Sequence, residues 1–166
     1  TMKIVMVGSG YVGLVSGACF ADIGHTVVCV DKDAGKIAAL RTGQIPIYEP
    51  GLDELVVRNV AAGRLSFATE LNGAAAGADA VFIAVGTPSR PNDGHADLTY
   101  VHDAARDIAR AVSGFTVVVT KSTVPVGTGD DVERIIRETN AAADVAVASN
   151  PEFLREGAAI RDFKLP

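Results

Sequence analysis

Three glycines, Gly8, Gly10 and Gly13, stand in the order G-x-G-x-x-G within VGSGYVGLVSG, directly after a short apolar run. Their spacing suits the approach of a pyrophosphate to the backbone. The first glycine permits a tight turn, the second leaves room for phosphates and the third lets a helix lie close on a strand. The helix start then offers free N–H groups and a partial positive charge. Alone the pattern is weak, since glycines can also serve packing only. Asp31, about 20 residues on and at the end of a second apolar run, raises it. A carboxylate there can accept from a ribose 2′-hydroxyl and repels a 2′-phosphate, which favours NAD over NADP. The alternative is that Asp31 caps the next helix. Lys32 and Lys36 either meet the adenosine side or stand solvated at a helix start.

Further reactive side chains follow the later apolar runs. Thr87, in VGTPS, is within reach of a ribose or nicotinamide. His95 in the same loop is either a general base or simply exposed, and Asp97 reads as the N-cap of a helix from Leu98. Thr123, in TKSTVPVGTG, faces the ligand side of a doubly wound sheet or makes an N-cap or ST-turn before Pro125. Asp130 and Asp131 are explained by the dipole of the helix they open. Glu152, Arg155 and Glu156, in SNPEFLREGAA, put three charges beside the crevice, as a site or as a solvated pair.

These residues need a frame, and the sequence supplies one. Apolar runs at Lys3–Val7, Thr26–Val30, Ala80–Val85, Thr116–Ser122 and Val145–Ser149, with a shorter one at Leu65–Ala68, are continuous rather than alternating. Strands buried on both faces of a parallel sheet read this way. Helical spacing occupies Tyr11–Ile23, Ala34–Arg41, Leu52–Ala62, Leu98–Val112 and Val126–Thr139. The alternation predicts an α/β, Rossmann-like, doubly wound and mostly parallel sheet with helices on both faces. Two Pro- and Gly-rich loops, 42–51 and 86–97, fall where such sheets hold ligands.

The chain has 166 residues, 48% of them apolar, which suffices for one domain core. A net charge of −5 with scattered cations and no Trp argues against nucleic acid as a partner. No run suits a signal peptide or membrane span. Cys19 and Cys29 read as buried, reduced thiols of a cytoplasmic protein. Thr1 before Met2 reads as a remainder of expression, and the ending IRDFKLP, without a terminal helix, as a sign of a fragment.

The phrases GSGYVGLVSG, IPIYEPGLDEL, VGTPS, KSTVPVGTG and NPEFLREGAAIRDF together resemble the nucleotide-sugar 6-dehydrogenases, in order and across essentially the whole chain. The resemblance implies that residues 2–166 are an N-terminal dinucleotide-binding domain, without the central helix and C-terminal sugar-nucleotide domain of that family. It implies two NAD-dependent oxidations at the sugar C6, through a cysteine thiohemiacetal and thioester. It assigns Gly8, Gly10, Tyr11, Val12, Gly13, Asp31, Lys36, Thr87, Thr123 and Glu156 to cofactor binding. Thr123 and Glu152 become catalytic residues that position water, with Glu152 a candidate base. Glu152, Phe153, Leu154, Arg155 and Glu156 become a substrate-contacting loop. The phrases look closer to members acting on UDP-glucose than to those acting on GDP-mannose or a UDP-N-acetylhexosamine. The G-G-x-C-x-P-K-D nucleophile phrase does not occur, so the expectation is NAD binding without turnover. Full-length members are expected as homodimers. A stand-alone NAD-sensing module is the competing reading.

Overall fold

A computed structural model describes residues 1–166. Six strands, β1 (Lys3–Val7), β2 (Thr26–Val30), β3 (Leu65–Ala68), β4 (Ala80–Ile83), β5 (Thr116–Thr120) and β6 (Val145–Ser149), form one sheet. Their order is β3-β2-β1-β4-β5-β6 and every pairing is parallel. The order reverses between β1 and β4, so a crevice opens beyond their carboxyl ends. The helices are α1 (Tyr11–Asp22), α2 (Ala34–Arg41), α3 (Leu52–Ala61), α4 (Thr99–Ala111), α5 (Thr128–Thr139) and α6 (Ala159–Lys164).

Successive strand residues point to opposite faces, and the two faces have separate cores. Ile4, Met6, Cys29 and Phe67 pack with Leu14, Val15, Ile37 and Leu55, under α1, α2 and α3. Val5, Val81, Ile83 and Val118 pack with Ile108, Val132 and Ile136, under α4 and α5. The continuous apolar runs are thus explained: both pleats of each central strand are covered. Glycine at position 17 lets α1 pack on the sheet, since a Cβ there would stand 2.7 Å from Cys29 Sγ and 3.2 Å from Met6 Cγ.

The predicted boundaries shift in places. Helix α4 starts at Thr99 rather than Leu98, and α5 at Thr128 rather than Val126, because Gly127 takes φ 90° in the turn after Pro125. Strands β4 and β5 stop at Ile83 and Thr120, two residues before the apolar runs end. The expectation of no terminal helix is corrected. Residues Ala159–Lys164 form α6, which docks on α1 through an edge-on contact of Phe163 with Phe20 at 4.9 Å and an ion pair of Lys164 with Asp22. Six residues are too few for a periodic signal, so packing decides this helix. No helix is long and apolar enough to cross a membrane.

Candidate functional site at the strand ends

The glycine turn joins β1 to α1. Gly8 has φ 106°, and a Cβ there would stand 2.5 Å from the Ala84 carbonyl oxygen beyond β4. A Cβ at Gly13 would overlap the Gly8 carbonyl, so this position seats the helix against the turn. Gly10 differs from both. Its φ of −73° and ψ of −166° suit any residue, and a Cβ there would meet nothing within 4 Å. The protein itself gives no reason for glycine at this point. Leu14 N–H is the first to bond back into α1, to the Gly10 carbonyl at 2.9 Å, which leaves the amides of Gly10, Tyr11, Val12 and Gly13 free for an anion.

Asp31 lies beside this turn at the end of β2. Its Oδ2 accepts from Ser9 N–H at 3.0 Å, Ser9 Oγ at 2.7 Å and Lys36 Nζ at 3.1 Å; its Oδ1 accepts from Asp33 N–H at 3.0 Å. Burial alone would raise its pKa, yet the amide of Asp33, the hydroxyl and amide of Ser9 and the Lys36 ammonium together hold it below the ordinary carboxylate range. The N-cap of α2 is Asp33, whose Oδ1 accepts from Lys36 N–H at 2.9 Å. Asp31 is therefore free of capping duty and is held, charged, with an Oδ1 lone pair to spare. Lys36 supports it, whereas Lys32 turns away to pair with Asp107 on α4 at 2.9 Å.

Across the crevice, Thr87 Oγ1 donates to the Thr123 carbonyl at 2.9 Å and ties the loop after β4 to the loop after β5. Ser122 Oγ donates to the Val85 carbonyl at 2.7 Å and reinforces that tie. Thr123 is exposed and its hydroxyl makes no bond within the chain; Gly127, not Thr123, opens α5. Asp97 Oδ1 accepts from Thr99 N–H at 2.9 Å and so caps α4 as expected in kind, from one residue further out. His95 is exposed in a loop closed by the Arg90 N–H to His95 carbonyl bond of 2.7 Å.

Glu152 accepts from Leu154 N–H at 2.5 Å and is half-buried, while Phe153 and Glu156 are exposed. Arg155 does not pair with its flanking glutamates. Its guanidinium meets Asp162 at 2.7 and 3.0 Å, which holds the Asp162 carboxyl down at about 2. Lys121, buried at the end of β5, donates to Asn150 Oδ1 at 3.1 Å; burial lowers its pKa and the neighbouring Glu152 charge partly restores it.

Glu49 was not foreseen. It is buried, and it accepts from Tyr11 Oη at 2.7 Å, Gly157 N–H at 2.7 Å and Ala159 N–H at 2.8 Å. Burial would raise its pKa, but these three donors bring it below the usual value. Tyr11 is pushed the other way, its phenol raised strongly by burial and by Glu49, with Glu156 and Glu152 adding to the effect. Both thiols are inert: burial lifts Cys19 to about 11 and Cys29 to about 12.

A parallel sheet in this order, with a glycine turn, free helix amides and an acceptor carboxylate at its switch point, defines a dinucleotide-binding domain. The comparisons with known proteins narrow the class. The family described as "UDP-glucose/GDP-mannose dehydrogenase family, NAD binding domain" matches residues 2–166. The chain belongs to this family, as its NAD binding domain. It is 75% identical over 165 residues to a UDP-glucose 6-dehydrogenase of Rhizobium meliloti (strain 1021), covering 99% of this chain and 38% of the relative. A UDP-glucose 6-dehydrogenase of Bacillus subtilis (strain 168) is 55% identical, with coverage of 97% and 37%. Among solved structures, a UDP-glucose dehydrogenase from the hyperthermophilic archaeon Pyrobaculum islandicum matches with TM-score 0.93 at 48% identity, covering 98% of this chain and 38% of that one. A ternary complex of GDP-mannose dehydrogenase from Pseudomonas aeruginosa matches with TM-score 0.93 at 40% identity, covering 99% and 39%. The chain thus spans well under half the length of the relatives it matches.

Proposed function

We propose that residues 2–166 are the cofactor half of a cytoplasmic UDP-glucose 6-dehydrogenase, which oxidises UDP-glucose to UDP-glucuronate in two NAD-dependent steps. The observation that carries this reading is Gly10. Neither its backbone angles nor its neighbours call for glycine, while a pyrophosphate approaching the free amides does. The residues fit the cofactor: Gly8, Gly10, Tyr11, Val12 and Gly13 cradle the phosphates, Asp31 accepts from the adenosine ribose with Lys36 behind it, and Thr87, Thr123 and Glu156 line the nicotinamide side. Bound NAD supplies a hydride acceptor. Phe153, Leu154 and Arg155 belong with Glu152 and Glu156 to the loop that meets the sugar.

In this reading each oxidation takes a hydride from C6 and a proton from the hydroxyl oxygen on C6, and water enters once, to cleave the thioester and release the acid. Thr123, with its free hydroxyl, orients that water, and Glu152 takes its proton. Lys121 stands near enough to Glu152 for the carboxylate to support its charge against the cost of burial. The thiol nucleophile lies in the second domain of the longer polypeptide, joined by the central helix through which the enzyme dimerises. Neither Cys19 nor Cys29 replaces it, because both are fully buried with raised pKa values.

Thermal unfolding of this chain with NAD and with NADP tests the reading first. NAD is expected to raise the midpoint, NADP to raise it less, and UDP-glucose plus NAD to give no NADH. Turnover by this chain would overturn the assignment of the nucleophile. In the full-length enzyme, Glu152→Gln should stall the cycle at hydrolysis of the thioester, after both hydrides have been transferred, which a pure NAD sensor would not register. Turnover of GDP-mannose or a UDP-N-acetylhexosamine in preference to UDP-glucose would change the substrate and leave the mechanism.

A further inference from the structure

Residues 150–158 carry Glu152 and Glu156 without any regular structure of their own. Their first end is fixed by Asn150, whose N–H donates to the Thr120 carbonyl at 3.0 Å and whose Oδ1 accepts from Lys121. The second end is held differently. From Pro151 to Phe163, the hydrogen bonds that reach back to the rest of the fold before Asn150 are the two that Glu49 accepts, from Gly157 and Ala159. The same Oε2 that accepts from Gly157 also accepts from Tyr11 Oη. Tyr11 is the residue after Gly10, at the first position of α1. One carboxylate oxygen therefore joins the turn proposed to hold the cofactor phosphates to the loop proposed to meet the sugar.

The site also specifies a carboxylate. Glu49 is 4% exposed and all three partners are neutral donors, with no cation bonded to it. An ionised carboxylate accepts on both oxygens, whereas glutamine would aim its NH2 at one of these donors and leave that donor unpaired. Glu49 belongs to the IPIYEPGL phrase, which the proposed chemistry leaves without a task.

We propose that Glu49 is a positioning residue that couples the glycine turn to the Glu152–Glu156 loop, so that filling the cofactor site orders the loop. The coupling rests on the reading of the turn as the NAD site. It runs through Tyr11: phosphates that fix the first turn of α1 fix the phenol, the phenol fixes Glu49, and Glu49 fixes the amides of Gly157 and Ala159. By reciprocity, loosening the loop weakens NAD binding.

Amide hydrogen exchange on this chain, with and without saturating NAD, tests the coupling. In the unaltered chain NAD should slow exchange at Gly157 and Ala159. In Glu49→Gln those two amides should exchange about tenfold faster or more, with Val5 and Val118 unchanged, and NAD affinity should fall by about fivefold to tenfold. Tyr11→Phe keeps both amide bonds and removes the link. Those amides should stay protected without NAD and gain nothing from it, and this variant carries the test should Glu49→Gln fail to fold. If NAD binds but leaves the two amides untouched, or protects them equally in Tyr11→Phe, the coupling is wrong and the NAD site stands. If NAD does not bind the unaltered chain at all, the cofactor reading itself falls.

Discussion

The two ends of the crevice are built on different plans. Around β1, α1 and β2, the candidate residues other than Gly10 are backed by protein: Gly8 against Ala84, Gly13 against Gly8, Asp31 against Ser9 and Lys36. Around the ends of β5 and β6, Thr123, Phe153 and Glu156 face outward, and Ala146, Ala148 and Ser149 of β6 are exposed. The first region is a finished receptor made chiefly of backbone and short side chains. The second offers side chains to something that must come from outside it. Under the proposed function the difference follows, because recognising phosphates needs only fixed amides, whereas directing chemistry at a sugar carbon needs closure from both sides.

The sharpest way to break this contrast is to add one methyl group at either of two glycines. Gly13→Ala forces a Cβ into the Gly8 carbonyl and should destabilise the fold by about 3 kcal/mol or more, read in urea unfolding. Gly10→Ala meets open space, so it should lower stability by about 1 kcal/mol or less while weakening NAD by about tenfold or more in a binding titration. Equal losses of stability in both variants would mean that Gly10 serves packing.

A smaller effect sharpens the charge side of the finished region. Asp31 and Glu49 both have folded pKa values below their unfolded ones. Their contribution is therefore complete above about pH 4.5 and is lost as pH falls through the depressed folded values. The urea midpoint should begin to drop as pH falls below about 4.5, and Asp31→Asn should flatten that drop. The same variant should weaken NAD by about tenfold and narrow its advantage over NADP. An unchanged preference would show that Asp31 does not read the ribose.

The smallest effect concerns the thiols. Cys19 and Cys29 belong to the core of the finished region, so neither should react with a disulfide reagent until the chain unfolds, and Cys19→Ala should leave NAD affinity unchanged. Reaction of either thiol in the folded chain would reopen it as a nucleophile for the unfinished region.

Much of this contrast was legible from local signals. Strand runs, the glycine phrase and Asp31 are each written within a few residues, and the predicted sheet formed with its strands all parallel. What escaped was long-range. Glu49 sits in a Pro-flanked loop that gives no sign of partners more than 100 residues away, at Gly157 and Ala159. Helix α6 exists because Phe163 and Lys164 find Phe20 and Asp22, not because six residues favour a helix. Capping was half legible: Asp97 does bond the start of α4, but from one residue before the N-cap Leu98, and Asp33, which caps α2, carried no expectation.

The strand order also sets a schedule for the chain as it is made. Of the six strands β1 is made before the others, yet Ile4 pairs with Ala80, and Gly8 rests on Ala84. Until β4 emerges, one edge of an apolar strand stays bare, with no hairpin partner to shield it and the Gly8 turn without its floor. Parallel pairings of this span form slowly and leave a nascent chain open to mispairing. The nascent domain would thus acquire its capacity to hold a dinucleotide late and in one step, when the fourth strand closes on the first.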